Sequence, residues 1–435
     1  MPDAAPPASP PARPTVHVGP LLGRWQLWLV PAVLASLVAF CLSLLYMGGI
    51  LDPTGTLHRL PIAIVNGDTG APLPGQPQNL GTRLTDTVTG STAPGTVDWR
   101  RLGLAEAQDQ LGSGKVYGAL IIPDGFTAEV AALTTPGATK RPTLTTLTNP
   151  GAGSLASSLA GQITQKAAHS ASLTIGSQLS ASGTTPTTRL LLTDPVTVTT
   201  AVGHPIGRHT GLGLSAFYYT LLLVLAGFVG GNLVHSGVDT ALGYADSELG
   251  PWHSRRPTVP VTRTDTLLLK MVMTAGISLA TTALVLLATA GLLGMDTPHP
   301  ALLWLFSYCA TLSVGLGVQA INAAFGGIGQ LVSMFVFIAL ALPSSGATVP
   351  LEATPGFYRF LASFEPMRQL VGGTRAILYF DAKGDAGLTR GWLMIALGFV
   401  GALVFGFAMT RYYDRRGLRR LTPQPEPDTE PSPAA

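Results

Sequence analysis

From Trp25 to Met47 the chain runs without a charged side chain, long enough for one helix to cross the ~30 Å hydrocarbon layer of a bilayer. Five more apolar blocks follow position 211, at about 212–234, 266–293, 301–324, 328–342 and 392–409. A chain that must shield six such blocks from water folds with lipid around it. Composition agrees: 46% of the 435 residues are hydrophobic and 11% are Asp, Glu, Lys or Arg, against about 25% charged in an average soluble domain. An ordinary soluble enzyme is thereby excluded. The predicted fold class is an α-helical polytopic membrane protein with six transmembrane helices and an α/β extracytoplasmic domain inserted between helices 1 and 2.

The first block exceeds the 7–15 residue core of a signal peptide, so it is read as an uncleaved anchor. Residues 1–24, rich in Pro and Ala, are expected to form a disordered cytoplasmic tail. The outer domain is expected at 48–211. Within it, Leu60–Val65 and Val116–Ile122 are apolar runs closed by Asn66-Gly-Asp68 and Pro123-Asp-Gly125, which reads as strand and turn. Asn79–Val88 and Leu104–Leu111 carry helical spacing, 141–148 and 196–202 are Thr- and Val-rich strand candidates, and 151–182 is an Ala/Ser/Gly-rich helix. The five later spans fall within a helical domain at 212–411, followed by a basic and then Pro-rich tail at 412–435.

Arg255, Arg256 and Arg263 sit between the second and third spans, and Arg411, Arg415, Arg416, Arg419 and Arg420 follow the last. The cytoplasmic preference of Lys and Arg puts both segments inside, which predicts a multi-pass plasma-membrane protein with both termini cytoplasmic. Arg359, Arg368, Arg375, Lys383 and Arg390 on the outer side are partly offset by Glu352, Glu365, Asp381 and Asp385.

No catalytic, cofactor or metal site is expected. Gly112-Ser-Gly-Lys115 lacks the earlier Gly and the following Ser or Thr of a phosphate loop, and the eight His show no paired ligand spacing. A net charge of +3 without charge runs gives no case for nucleic acid. Cys41 and Cys309, both in apolar blocks, read as packing residues. Gly227 and Gly231 form a G-x-x-x-G pair, which fits a helix contact within a protomer or across a dimer, although a chain with 51 Gly also makes such matches by chance. Asn232, Gln319, Asn322 and Gln330 are polar-pathway candidates or interhelical hydrogen-bonding groups. The segment 343–390, with Pro343, Gly346, Pro350, Pro355, Pro366 and Arg375, is too interrupted to cross and reads as re-entrant or interfacial. Phe357, Tyr358, Phe360, Phe364, Tyr379 and Phe380 would anchor it at headgroup level.

Ile62-Ala-Ile-Val-Asn-Gly-Asp68, Leu80-Gly81, Ala105-Glu-Ala-Gln108 and Gly114–Phe126 resemble the extracytoplasmic domain of the YhgE/Pip family. Residues Pro343 to Phe380 look like the terminal signature of ABC-2 type permeases, with which that family is grouped. The resemblance implies an exporter subunit for an amphiphilic or envelope-destined compound. It implies two copies forming a path through the lipid bilayer, and a separate ABC ATPase chain docked near Gly23-Arg-Trp25 and the 235–265 loop. The alternative is a non-transporting envelope scaffold, secretion accessory or surface receptor. The outer domain is shorter than in longer relatives of that family, too small for an extended stalk.

Overall fold

The structure is a computed structural model that describes residues 25–73, 76–133, 141–180, 192–249, 251–418 and 420. The tail expected at 1–24 and the Pro-rich end from 421 onward lie outside the described residues, as does Arg419. Two units divide at Gly48. The first holds one helix, α1 (Trp25–Met47), with Trp28, Val33, Leu37, Phe40 and Leu44 all exposed as on a lipid-facing helix.

In the second unit a five-stranded sheet, ordered β4-β1-β5-β6-β7, comes first in the chain. Its strands are β1 (Leu60–Asn66), β4 (Val97–Leu102), β5 (Gly118–Ile122), β6 (Thr143–Thr148) and β7 (Thr197–Val202), and a small hairpin pairs β2 (Ala71–Leu73) with β3 (Gln76–Gln78). β1 lies between two parallel neighbours and is buried on both faces, which is why it reads as a continuous apolar run. The two-residue period of a strand then sorts its side chains. Ile64 faces α2 (Leu80–Ser91), α4 (Phe126–Ala132) and α5 (Ser154–Ser180), while Ala63 and Val65 face α3 (Leu104–Leu111).

The Asn66-Gly-Asp68 turn is a pin for this arrangement. Asp68 accepts hydrogen bonds from the Gly81 amide at 3.0 Å, the Thr127 amide at 3.1 Å and the Thr127 hydroxyl, so one carboxylate holds the start of α2 to the start of α4. Burial works against its charge, but the bonds from Thr127, Gly81 and Gly70 outweigh that and hold its pKa below the ordinary value.

Among the described residues four helical runs are long and apolar enough to cross a membrane: Ser215–Ala241, Arg263–Leu292, Pro300–Ser344 and Leu388–Arg415. We label α6 (Ser215–Ala241), α7 (Arg263–Leu286, continued by a π turn to Leu292), α8 (Pro300–Phe325), α9 (Gly329–Met334), α10 (Ala341–Ser344), α11 (Gly356–Leu361), α12 (Pro366–Tyr379) and α13 (Leu388–Arg415). The 45-residue run Pro300–Ser344 breaks at Gly326, whose φ of +58° ends α8, and the chain folds back so that Phe337 lies over Gly317. α8 is central, with α6, α7 and α13 packed around it.

β4 and α4 are among the elements that escape a reading by apolar pattern. β4 carries Asp98, Arg100 and Arg101, because an edge strand leaves half its surface wet, and α4 is only seven residues long. The expected anchoring aromatics also divide. Phe357, Phe360 and Phe364 are exposed, whereas Tyr358, Tyr379 and Phe380 are buried at 5% or less, because the α/β domain and the helices close over them. Those three are packing residues and not headgroup anchors.

Gly227 lets α6 approach α8, since a side chain there would begin 2.9 Å from Val314, while Gly230 faces open space. Gly227→Leu is expected to destabilise the detergent-solubilised protein by about 1–3 kcal/mol, and Gly230→Leu to leave its thermal unfolding unchanged. Equal effects would refute the packing assignment. For Asp68, a depressed folded pKa means that its stabilisation is complete above the unfolded value of about 3.9 and is lost as pH falls through the folded value. Hydrogen exchange of β1 between pH 7 and 3 should therefore show less acid-induced loss of protection in Asp68→Asn than in the unaltered chain.

Candidate functional site

The site is built around α12. Glu365 caps its first turn by accepting from the Arg368 amide at 3.3 Å, and Pro366 takes the first helical position, where no amide hydrogen is needed. At 14 residues it is ~21 Å long, too short to cross hydrocarbon. Helical periodicity gives it two faces. Leu370, Gly373 and Ile377 turn into the bundle, and Gly373 lies against the Phe306 ring of α8. Arg368, Gly372 and Arg375, at i, i+4 and i+7, turn the other way.

That second face walls a cavity of about 340 Å³, closed from the α/β domain by Ser113, Gly114, Lys115 and Tyr117. Asn149 holds this turn in place, donating to the carbonyls of Leu111 at 2.8 Å and Val116 at 3.0 Å. The Tyr117 hydroxyl donates to Glu352 at 3.1 Å. Burial, then the neighbouring carboxylate, pushes the Tyr117 pKa up, so the phenol keeps its proton. Lys115 pairs with Asp385, and Lys383 with Asp109 at 3.1 Å. Arg375 donates from Nη2 to the Ala347 carbonyl at 3.1 Å, while its Nε is shielded and has no partner among the described residues. Burial pulls its pKa down, though a guanidinium remains charged.

The first face borders a different space. About 220 Å³ lies between α12, α8, Phe337 and α13, lined by Pro366, Leu370, Val314, Gly317, Ile395 and Gly398 among others, with Ser313 the one polar side chain on its wall among the described residues. One short helix thus separates a charged cavity from an apolar one.

At the opposite end of the bundle, Asp239 on α6 accepts from Lys270 on α7 at 2.7 Å and from Arg420 at 2.6 Å. His235 takes a further Lys270 hydrogen at 2.9 Å, and the Arg420 guanidinium sits 4.9 Å from the Tyr244 ring centre. Asp414 caps α7, accepting from the amides of Arg263 at 3.1 Å and Thr264 at 3.0 Å. The signal in the sequence was a set of isolated charges, Asp239 and Lys270, within otherwise apolar helices.

The residues singled out by sequence are distributed over both ends. Gly346 (φ +64°) and Arg375 line the charged cavity; Pro350 and Pro355 precede the short turns of 351–361; Pro366 starts α12; Pro343 lies in α10. Gly227 and Gly231 both press on α8 of the same chain, against Val314 and Val318. Asn322 donates to Asn232 at 3.0 Å, and Gln319 donates to the Gly231 carbonyl at 2.8 Å and to Thr274 at 3.1 Å, which ties α6, α7 and α8. Gln330 is exposed. These four polar residues do not line one passage, since Gln319 and Asn322 are buried in helix contacts. Arg255 and Arg256 are exposed beside the hairpin of β8 (Ser247–Leu249) and β9 (Trp252–Ser254). Arg263 is separate from them, bonding the Leu418 carbonyl at 2.7 Å and lying 5.4 Å from the Tyr413 ring centre.

A membrane-bound α/β domain seated on a helical bundle is the class of protein this geometry defines. A family described as "Protein of unknown function (DUF3533)" matches residues 31–398, and the chain belongs to it. It is also similar to the "Uncharacterized protein YhgE" of Bacillus subtilis (strain 168), 25% identical over 135 residues, which is 31% of this chain and 17% of that protein. The chain thus matches less than a fifth of the length of this curated relative. No solved structure matches.

Replacing Asp239 by Asn strands the buried Lys270 ammonium and takes the carboxylate from the half-buried Arg420. Such a change costs about 3–5 kcal/mol, so the thermal midpoint of the Asp239→Asn protein should fall by several degrees, and Lys270→Met added to it should restore part of the loss. An unchanged midpoint would show that the cluster does not hold the helices.

Proposed function

We propose that this chain is the membrane subunit of an ABC-2-like export permease that moves an amphiphilic or envelope-destined compound. The observation that carries the reading is α12, which presents cations to a polar cavity on one face and Leu370 and Pro366 to an apolar cavity on the other. An amphiphile needs a polar environment for its headgroup and an apolar one for its chains, and the two cavities flank one helix. The resemblance to the YhgE/Pip and ABC-2 groups points the same way.

In this reading α1, α6, α7, α8, the arm from α9 to α10, and α13 make six crossings, and the segment 343–390 is re-entrant. The end with Arg255, Arg256, Arg263, Arg411, Arg415, Arg416 and Arg420 faces the cytoplasm of the plasma membrane, which leaves the α/β domain outside. Energy comes from a separate ATP-hydrolysing chain, as the resemblance to ABC-2 type permeases implies. Two copies form the working unit. Gly227 and Gly231 are engaged within each copy, so the copies meet on another face.

Affinity purification of the chain from native membranes in mild detergent, with mass spectrometry and an ATP-hydrolysis assay, tests this. A stoichiometric ATPase whose activity depends on the chain is the expected result. Secretion or cell-wall proteins alone would favour the non-transporting scaffold. Arg255→Glu with Arg256→Glu, both on the surface, is expected to weaken ATPase capture by roughly tenfold through reversed charge while leaving thermal unfolding unchanged.

A further inference from the structure

Four cations, Lys115, Arg368, Arg375 and Arg390, and two carboxylates, Glu352 and Asp385, line the outer cavity, leaving an excess of two positive charges. The carboxylates are committed elsewhere. Asp385 pairs with Lys115, and Glu352 accepts the Tyr117 hydroxyl. Among the described residues none of Arg368, Arg375 and Arg390 forms an ion pair, and the Arg375 Nε is buried without any acceptor. Guanidinium forks match the oxygens of a tetrahedral phosphate, which they bind in pairs of parallel hydrogen bonds.

We infer that this cavity binds the phosphate of an anionic amphiphile, with the Arg368, Arg375 and Arg390 side chains as its ligands. A volume of about 340 Å³ accommodates a phosphodiester headgroup with its neighbouring polar atoms. The apolar space on the other face of α12 suits the chains of the same class of molecule. This rests on the permease reading for the amphiphile and deepens it by naming the headgroup chemistry.

The test uses the full chain purified in a neutral maltoside, with no ATPase present, so that binding succeeds or fails independently of transport. Inorganic phosphate, dihexanoyl phosphatidylglycerol and dihexanoyl phosphatidylcholine are titrated separately by calorimetry, with the thermal midpoint as a second readout. Phosphatidylglycerol is expected to bind at least roughly tenfold more tightly than the zwitterionic lipid, a factor expected from charge-assisted contacts. The double variant Arg368→Gln, Arg390→Gln alters one half-buried and one exposed side chain. It should lose at least that factor while the midpoint of the free protein stays put. Arg375→Gln should lose binding as well. If inorganic phosphate competes with phosphatidylglycerol, the phosphate alone is what the site reads; if it does not, the ligand is the lipid headgroup with its chains. Equal affinity for the two lipids, no binding of either anion, or undiminished binding by a folded double variant would overturn the assignment.

Discussion

The seating of one aromatic ring holds the two halves of the large unit together. Phe380, at the C-terminal end of α12, is 2% exposed because its ring lies against Gly114 and Gly151 of the α/β domain, where any side chain would start within 2.9 Å and 3.4 Å of it respectively. Gly114 has a φ of +65°, so the residue that leaves space for the ring is also the one that can make the turn. Beside it, the Tyr379 hydroxyl contacts Ser215 at 2.7 Å and the Ala216 amide at 3.0 Å, and the Tyr379 carbonyl accepts from His204 at 2.8 Å. Domain, α6 and α12 therefore meet at two consecutive residues.

The cavities follow from that junction. With its end fixed, α12 cannot rotate, and its heptad-like spacing commits Arg368 and Arg375 to the domain side and Leu370 to the bundle side. A second strip of contact runs along 349–353, where Val349 and Ala353 join Leu60, Ile62 and Leu159 in one apolar cluster, and the His58 amide donates to the Glu352 carbonyl at 2.6 Å. The first strand of the domain is thus packed on the segment that leads into α12.

Much of this was legible in the sequence, and where it was not the reason is physical. The apolar blocks announced the helices because lipid demands long uncharged runs, and the blocks at 301–324 and 328–342 are divided at the two glycines where the chain folds back. β1 and β5 were legible because central strands are apolar on both faces. β4 was hidden by the charges an edge strand tolerates. The charged cavity was only half visible: Arg375 and Gly346 stood out within a Pro-rich segment, but Lys115 and Tyr117 are some 230 or more positions away from Glu352 and Asp385, and spacing carries no information about such pairs. Tyr379 and Phe380 misled for a related reason, since an aromatic residue that anchors in headgroups and one that packs under a domain look alike in one dimension.

The two-faced placement of α12 is tested most directly by thiol labelling. In a chain with Cys41→Ser and Cys309→Ser, single cysteines at Arg368 and Leu370 are exposed to a charged, membrane-impermeant maleimide on intact cells. The account predicts that Arg368→Cys is labelled from outside and that Leu370→Cys is not, although the two positions lie within one turn of the same helix. Equal labelling of both, or labelling of Arg368→Cys only after the membrane is permeabilised, would contradict it.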